Sequence, residues 1–428
     1  MISSQRHSGI AALVALAIGS FGIGMTEFVV MGLLPDLARD LLPAAWTANS
    51  EAAIAQAGVL ISLYALGVVI GAPTIAGSVA RFPRHRVMLA LALALTLFNA
   101  LTFLAPSFEW MAASRLLAGL PHGAYFGIGA LVAADVLGPG RRAQGVAFVL
   151  TGLTVANIVG VPVGTFLGQH YGWRATFMAV TAVFAVATVC IAWFVPAHPG
   201  SPGRTLRAEL RVFRIGQVWL TLAIGAIGFG GFFAVNSYVA PMVTEVAHAP
   251  SWAVPAVLVV SGVGMTVGNL VGGRLADRDL RRTLLGAFLG TATVLALIGW
   301  TAQWILVLAG LLFALGFCGS ILAPSIQTRL MDVAEDNQSI AAALNHSALN
   351  VGNSLGAFFG GAVIAAGWGF VAPAWVGVTM ALIGLALTAV GFGLVRRERA
   401  PVPRPSTFGL ASGVRSDASQ GRRGSHTG

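Results

Sequence analysis

The chain has 428 residues, 57% of them hydrophobic and only 9% charged, with a mean hydropathy of +0.83. A soluble domain carries about a quarter charged residues, so most of this chain is excluded from water and the bilayer is its expected solvent. All 25 basic residues are arginine. Without lysine, a Walker A phosphate loop and Schiff-base chemistry are both excluded.

A membrane helix takes roughly 20 apolar residues. Runs of that length fall at 10–34, 54–79, 87–105, 110–134, 144–168, 174–195, 216–243, 252–275, 283–300, 303–328, 338–366 and 370–395. The first outruns the ~7–15-residue core of a cleaved signal and reads as a retained span. Runs as long as 338–366 leave room for tilt or a kink. The segment 196–215 breaks the series. It opens with Pro196, Pro199, Gly200, Pro202 and Gly203 and continues with Arg204, Arg207, Arg211 and Arg214, which reads as a linker. The expected layout is a six-span unit at 1–195, the linker, a second unit at 216–395, and a basic tail at 396–428 whose composition predicts disorder. The fold class is an all-α membrane protein of twelve spans in two pseudo-symmetric six-helix bundles.

The net charge of +10 would suggest nucleic acid in a soluble protein. Here the arginines cluster between apolar runs, which is a topology signal. With the N-terminus inside, every arginine except Arg39, Arg115 and Arg174 falls on the cytoplasmic side. Both termini are therefore expected in the cytoplasm, with no nucleic-acid partner. Cys190 and Cys318 lie inside apolar runs and suggest neither a disulfide framework nor a metal site.

The halves repeat. Gly67 and Gly71 recur as Gly264 and Gly268, and Gly119 as Gly316, all offset by 197. Asn157, Gly160 and Gly164 recur as Asn353, Gly356 and Gly360, offset by 196, and Gly172-Trp173 as Gly367-Trp368, offset by 195. Parallel six-span repeats with a site between them at the midplane describe one large transporter architecture.

Four segments resemble the major facilitator superfamily, and within it the twelve-span drug/proton antiporters and their arabinose-efflux-permease-like branch. They are GMTEFVVMGLLP at 24–35, SLYALGVVIGAP at 62–73, RLLAGLPHGAYFG at 115–127 and ANIVGVPVGT at 156–165. The resemblance covers roughly 10–395. It implies a bacterial-type inner-membrane protein, acting as a monomer and driven by the proton gradient with no cofactor. The superfamily's loop between spans two and three reads Gly-x-Leu-Ala-Asp-Arg-x-Gly-Arg-Arg and implies a charge latch closing the cytoplasmic side. The first-half copy, GSVARFPRHR at 77–86, has no Asp; the second, GRLADRDLRR at 273–282, keeps it. The latch is therefore expected at Asp277, Arg278 and Arg281.

Glu27 is the sharpest single feature. It sits about seven residues from the outer end of span one, roughly 10 Å deep at 1.5 Å per residue. A carboxyl there is a functional hypothesis by default. Arg115, about five residues into span four and roughly 7–8 Å deep, lies at a matching depth, and a pair is expected if those spans adjoin. A dry environment favours a neutral carboxyl and a guanidinium favours the charged one. A glutamate trading between the two would bind and release a proton. The repeat places Ile224 and Leu312 where Glu27 and Arg115 stand, so the charges are not duplicated with the scaffold glycines. The alternative is a buried pair that only fixes helix packing.

His122 shares a helix face with Arg115 and could relay protons or simply pack. Asn345, His346 and Asn350 form a polar stripe on span eleven, and Asn157 and Asn236 add amides on spans five and seven. Such groups are awkward in lipid and are expected to face a cavity or to join helices. Tyr64, Tyr125, Phe126, Phe232 and Phe233 could wall that cavity or serve packing. Asp135 is expected at the cytoplasmic interface. The glycines around Gly160, Pro162 and Gly164 resemble the antiporter signature of drug exporters, which implies a hinge and seal; plain close packing accounts for the same residues.

The leading reading is a proton-driven exporter of small organic molecules such as drugs or sugars, working by alternating access. The runner-up is a proton-coupled importer of a sugar or metabolite on the same fold. A membrane enzyme would need a catalytic constellation, and the spans hold none. A sensor or channel is disfavoured by the duplicated bundles.

Overall fold

The computed structural model describes residues 2–79, 82–137, 142–197, 213–334 and 338–398. Most of the 196–215 linker and nearly all of the tail lie outside the described residues, and so do Arg81 and Arg141.

Every long element is a helix, because a helix satisfies its own backbone polar groups where no water can. The first crossing is Ile2–Leu41. The chain returns through Ser50–Ala57 and Val59–Val79, the second crossing. The third is Arg84–Phe103 and the fourth Phe108–Leu137. The fifth runs from Arg142–Val155 through a wide turn at Ala156–Gly160 into Val161–Tyr171. The sixth is Trp173–Phe194. The seventh is assembled from Gly216–Ala223, a wide turn at Ile224–Gly228, and Gly230–Asn236. Ile305–Val333, Gln338–Val363 and Ala372–Glu398 are the tenth, eleventh and twelfth.

Eleven helices among the described residues are long and apolar enough to cross a membrane, against the twelve runs of the sequence. The difference lies in Ala253–Thr301, 49 residues in which two helices follow each other across a kink. At 1.5 Å per residue it would span roughly 74 Å, more than twice a ~30 Å hydrocarbon core. Its backbone leaves helical geometry at Asp279 (φ −155°, ψ 92°). It therefore makes the eighth and ninth crossings, joined by a turn too short to separate them. With an even number of crossings, both termini lie at one end of the molecule, called here the terminal end; the opposite end is the distal end.

The duplication is visible in the packing. The second crossing lies against the fourth, and the eighth against the tenth. A Cβ on Gly67 would stand 3.0 Å from Gly119 Cα, and one on Gly264 would stand 3.0 Å from the Phe313 carbonyl carbon. Such approach is how membrane helices gain packing energy without a hydrophobic drive between them. The repeated Gly-Trp pair also has a geometric cause. Gly172 and Gly367 have φ of 86° and 81°, a left-handed conformation that glycine enters without strain and that ends a helix.

Between the bundles, the second crossing packs on the eleventh and the fifth on the eighth. The repeat interchanges these two contacts. The seam is formed mainly in its distal half. Phe28 stacks on Phe233 with centroids 6.3 Å apart. Ser62 Oγ donates to Ser354 O and Ser354 Oγ donates to Ser62 O, both at 3.2 Å. A Cβ on Gly262 would lie 2.8 Å from the Asn157 carbonyl carbon, so the backbones of the fifth and eighth crossings nearly touch there.

Candidate functional site

The first crossing presents Thr26 and Glu27 to different neighbours, because successive helical residues point about 100° apart. Thr26 faces the fourth crossing. Arg115 Nη1 donates to Thr26 Oγ1 at 2.9 Å and Nη2 to Thr26 O at 2.8 Å. Thr26 Oγ1 donates to Asn99 Oδ1 at 2.6 Å, and Asn99 Nδ2 to Leu95 O at 2.8 Å. The Arg115 guanidinium lies 4.1 Å over the Tyr64 ring and 5.7 Å from the Phe177 ring. It is wholly enclosed (0% exposed), with Nε left unpartnered.

Glu27 is also buried, at 7% exposed, but it faces the other bundle. Its Oε1 accepts a hydrogen bond from Asn353 Nδ2 at 3.3 Å. The pairing expected of Glu27 and Arg115 is therefore not a direct salt bridge among the described residues. The guanidinium is hydrogen-bonded to Thr26 and the carboxyl to Asn353, while the two charges stay near enough to act on each other.

From Arg115 a line of rings leads toward the second bundle. Tyr64 Oη and His122 Nδ1 share a hydrogen bond of 3.1 Å. The His122 ring meets Phe126 edge-on at 5.3 Å, and Phe126 stacks on His346 at 5.3 Å and 5°. His122 is thus placed between the buried charge and the eleventh crossing.

The remaining predicted positions divide. Asn345 donates weakly to Gln327 Oε1 (3.4 Å) within the second bundle. Asn350 donates to His346 O at 3.0 Å. Asn236 Nδ2 reaches across the seam to Met31 Sδ at 3.1 Å. Asn157 is half-buried in the wide turn of the fifth crossing. Tyr64 and Tyr125 do not wall an open cavity. Both are enclosed in the first bundle, and Tyr125 Oη donates to Leu16 O at 3.0 Å, so its ring braces the first crossing against the fourth. Phe232 and Phe233 pack with Phe229 in an aromatic cluster that reaches the seam through Phe233.

The glycines of the fifth crossing turn inward. A Cβ at Gly160 would meet Met25 and Phe21 at 2.7 and 2.9 Å, and one at Gly164 would meet Val29 at 2.9 Å. The wide turn ends just before Pro162, whose ring nitrogen has no hydrogen to give to the preceding turn. Wide turns of this kind recur at functional positions in helices.

The latch expected at Asp277, Arg278 and Arg281 is not formed here. All three are exposed and make no ion pair among the described residues. The kink at Asp279 supplies the reason: its carboxyl caps the ninth crossing, accepting from Arg282 N at 2.9 Å and pairing with Arg282 Nε at 3.2 Å. In the first bundle the pair is Arg84 with Asp135, joining the third and fourth crossings.

Sequence reasoning did not single out Thr26, Asn99 or Asn353 as site residues. Asn353 carried a signal, since it repeats Asn157. Asn99 carried a weaker one, an amide inside an apolar run.

The chain matches the family model described as Major Facilitator Superfamily over residues 16–278 and 251–416. It is 38% identical over 358 residues to the inner membrane transport protein YdhP of Escherichia coli (strain K12), covering 84% of this chain and 90% of the relative. It is 31% identical over 353 residues to a chloramphenicol resistance protein of Streptomyces lividans, covering 80% and 86%. The crystal structure of a D-xylose–proton symporter superposes with a TM-score of 0.72 at 15% identity, covering 89% of this chain and 97% of that one, a likeness of fold alone.

Proposed function

The chain belongs to the major facilitator superfamily, in its arabinose-efflux-permease-like branch, and is a multi-pass membrane transporter rather than an enzyme; from that premise we propose that it exports small organic molecules in exchange for protons. The observation that carries this reading is Glu27. A buried carboxyl is held across the bundle seam by one amide of the opposite bundle. Rocking the bundles apart removes that amide and lets water or cargo reach the carboxyl. Its proton affinity is then tied to which end of the seam is open, which is the requirement for coupling. Proton-gradient drive needs no cofactor.

The arginine asymmetry supports a cytoplasmic terminal end. With the distal seam shut, this conformation loads from the cytoplasm. The relative named for chloramphenicol resistance supports export of a drug-like molecule. Asp277, Arg278 and Arg281 would engage when the terminal end closes, and the wide turn beside Gly160, Pro162 and Gly164 would absorb the bending.

Proteoliposomes with an imposed pH gradient test this. Export predicts uptake into inverted vesicles whose lumen is acidic, lost on Glu27→Gln. Accumulation along the proton gradient, rather than against it, would establish the import direction instead.

A further inference from the structure

Helical steps of about 100° place His346, Asn350, Asn353 and Ser354 within one sector of the eleventh crossing. Three of them touch the first bundle: His346 through Phe126, Asn353 through Glu27 and Ser354 through Ser62. Asn350 lies inside the same sector, so it faces the same way. Its Nδ2 is used on His346 O, and its Oδ1 has no partner. Asn353 Oδ1 also has none. The two residues are 5% and 1% exposed. A buried carbonyl without a donor is costly and calls for an explanation. Two on one helix face, about one turn apart and beside a carboxyl, form an acceptor pair awaiting donors.

We infer that Asn350 Oδ1 and Asn353 Oδ1 receive the transported molecule, that this molecule is neutral and carries at least two hydrogen-bond donors such as hydroxyl or amide N–H groups, and that Asn353 links it to Glu27. The inference rests on the transport reading above.

The amide chemistry makes the link an exchange. Ionised Glu27 only accepts hydrogen bonds, so Asn353 gives it the NH₂ and turns its carbonyl to the ligand. Protonated Glu27 offers a hydroxyl. When the amide takes that hydroxyl with its carbonyl, the acceptor is withdrawn from the ligand. Proton and ligand thus compete for one carbonyl. The ionisable groups facing Glu27 are Arg115 and Tyr64, with His122 and His346 further along the ring line. Among the described side chains, the fifth to eighth crossings carry their charged or histidine groups, His170, Arg174, Arg274, Asp277 and Arg278, toward their ends.

The test uses the full chain in liposomes and three probes. Chloramphenicol carries two hydroxyls and an amide N–H, its diacetyl ester lacks the hydroxyls, and tetraphenylphosphonium is a cation without donors. We expect saturable flux of chloramphenicol, about tenfold weaker handling for each lost donor, and a similar loss in Asn350→Leu. Chloramphenicol should release a proton from the wild type in weak buffer and none from Asn353→Leu. Ligand-free Asn350→Leu should melt no lower than the wild type, since leucine removes an orphan acceptor. Equal handling of the ester, or preference for tetraphenylphosphonium, would overturn the donor class and leave the exchanger standing. Clearly lower melting of Asn350→Leu would show a structural role and overturn the site. Absence of saturable flux for all three probes would overturn the proposed export of drug-like molecules and this site with it, leaving the chain's place in the superfamily untouched.

Discussion

Asn353 donates to Glu27 across the bundle seam at 3.3 Å while its own carbonyl stays unpartnered. The two residues are 326 positions apart, one in each repeat. Among the described residues the amide on the buried carboxyl thus belongs to the opposite bundle, and four consequences can be measured.

Glu27→Gln keeps an acceptor for Asn353 and removes the proton. The distal seam should stay shut and the melting temperature should remain close to the wild-type value. Gradient-driven flux should fall to the level seen without a gradient. Retained gradient dependence in liposomes would remove Glu27 from the coupling.

Arg115→Lys keeps the charge, but an ammonium cannot bridge Thr26 Oγ1 and Thr26 O while lying over the Tyr64 ring. Losing a charge-assisted hydrogen bond should cost about 1.5–3 kcal/mol. Thermal denaturation in detergent checks this. A neutral effect would mean that Arg115 serves Glu27 rather than the first-to-fourth crossing contact.

Gly262→Val and Gly264→Val separate seam from scaffold. The first would place a side chain against Asn157 of the other bundle, the second against Phe313 of its own. Overpacking costs about 1–3 kcal/mol. At Gly262 that cost falls on the distal-closed state and should lengthen distal spin-label distances between bundles. At Gly264 it should lower folding stability. Identical behaviour of the two variants would contradict the assignment of Gly262 to a moving surface.

Ser62 and Ser354 exchange reciprocal side-chain-to-backbone hydrogen bonds. Cysteines at both positions should cross-link under mild oxidant and stop transport, with recovery on reduction. Cross-linking that leaves flux unchanged would show that this part of the seam does not open.

The gross fold was legible because a bilayer imposes a length on every apolar run. The exception was instructive. Runs 252–275 and 283–300 are separate by composition, yet the backbone carries helix up to Asp279 and resumes at once, so composition and helix count differ by one. The glycine repeat was legible because close helix approach tolerates no Cβ, whichever bundle it occurs in.

The site was legible only by depth. Glu27 and Arg115 could be placed at one level of the membrane, but a residue's azimuth depends on which helices surround it. Thr26 and Glu27 differ by a single position and by about 100°. That angle sends one to an arginine in its own bundle and the other to an asparagine of the other bundle. Tyr125 shows the same limit, since its aromatic character gave no sign of whether it would line a space or fill one.

By itself, the order of residues determined the solvent, the number of crossings, the duplication and the one deep carboxyl, because each follows from apolar length or residue type along the chain. Only the tertiary structure decided which side chains meet, that the Glu27 carboxyl looks across the seam, and that the Asn350 and Asn353 carbonyls have no partner among the described residues. Those contacts join residues hundreds of positions apart, and their partners are set by helix rotation and packing, which no local pattern encodes.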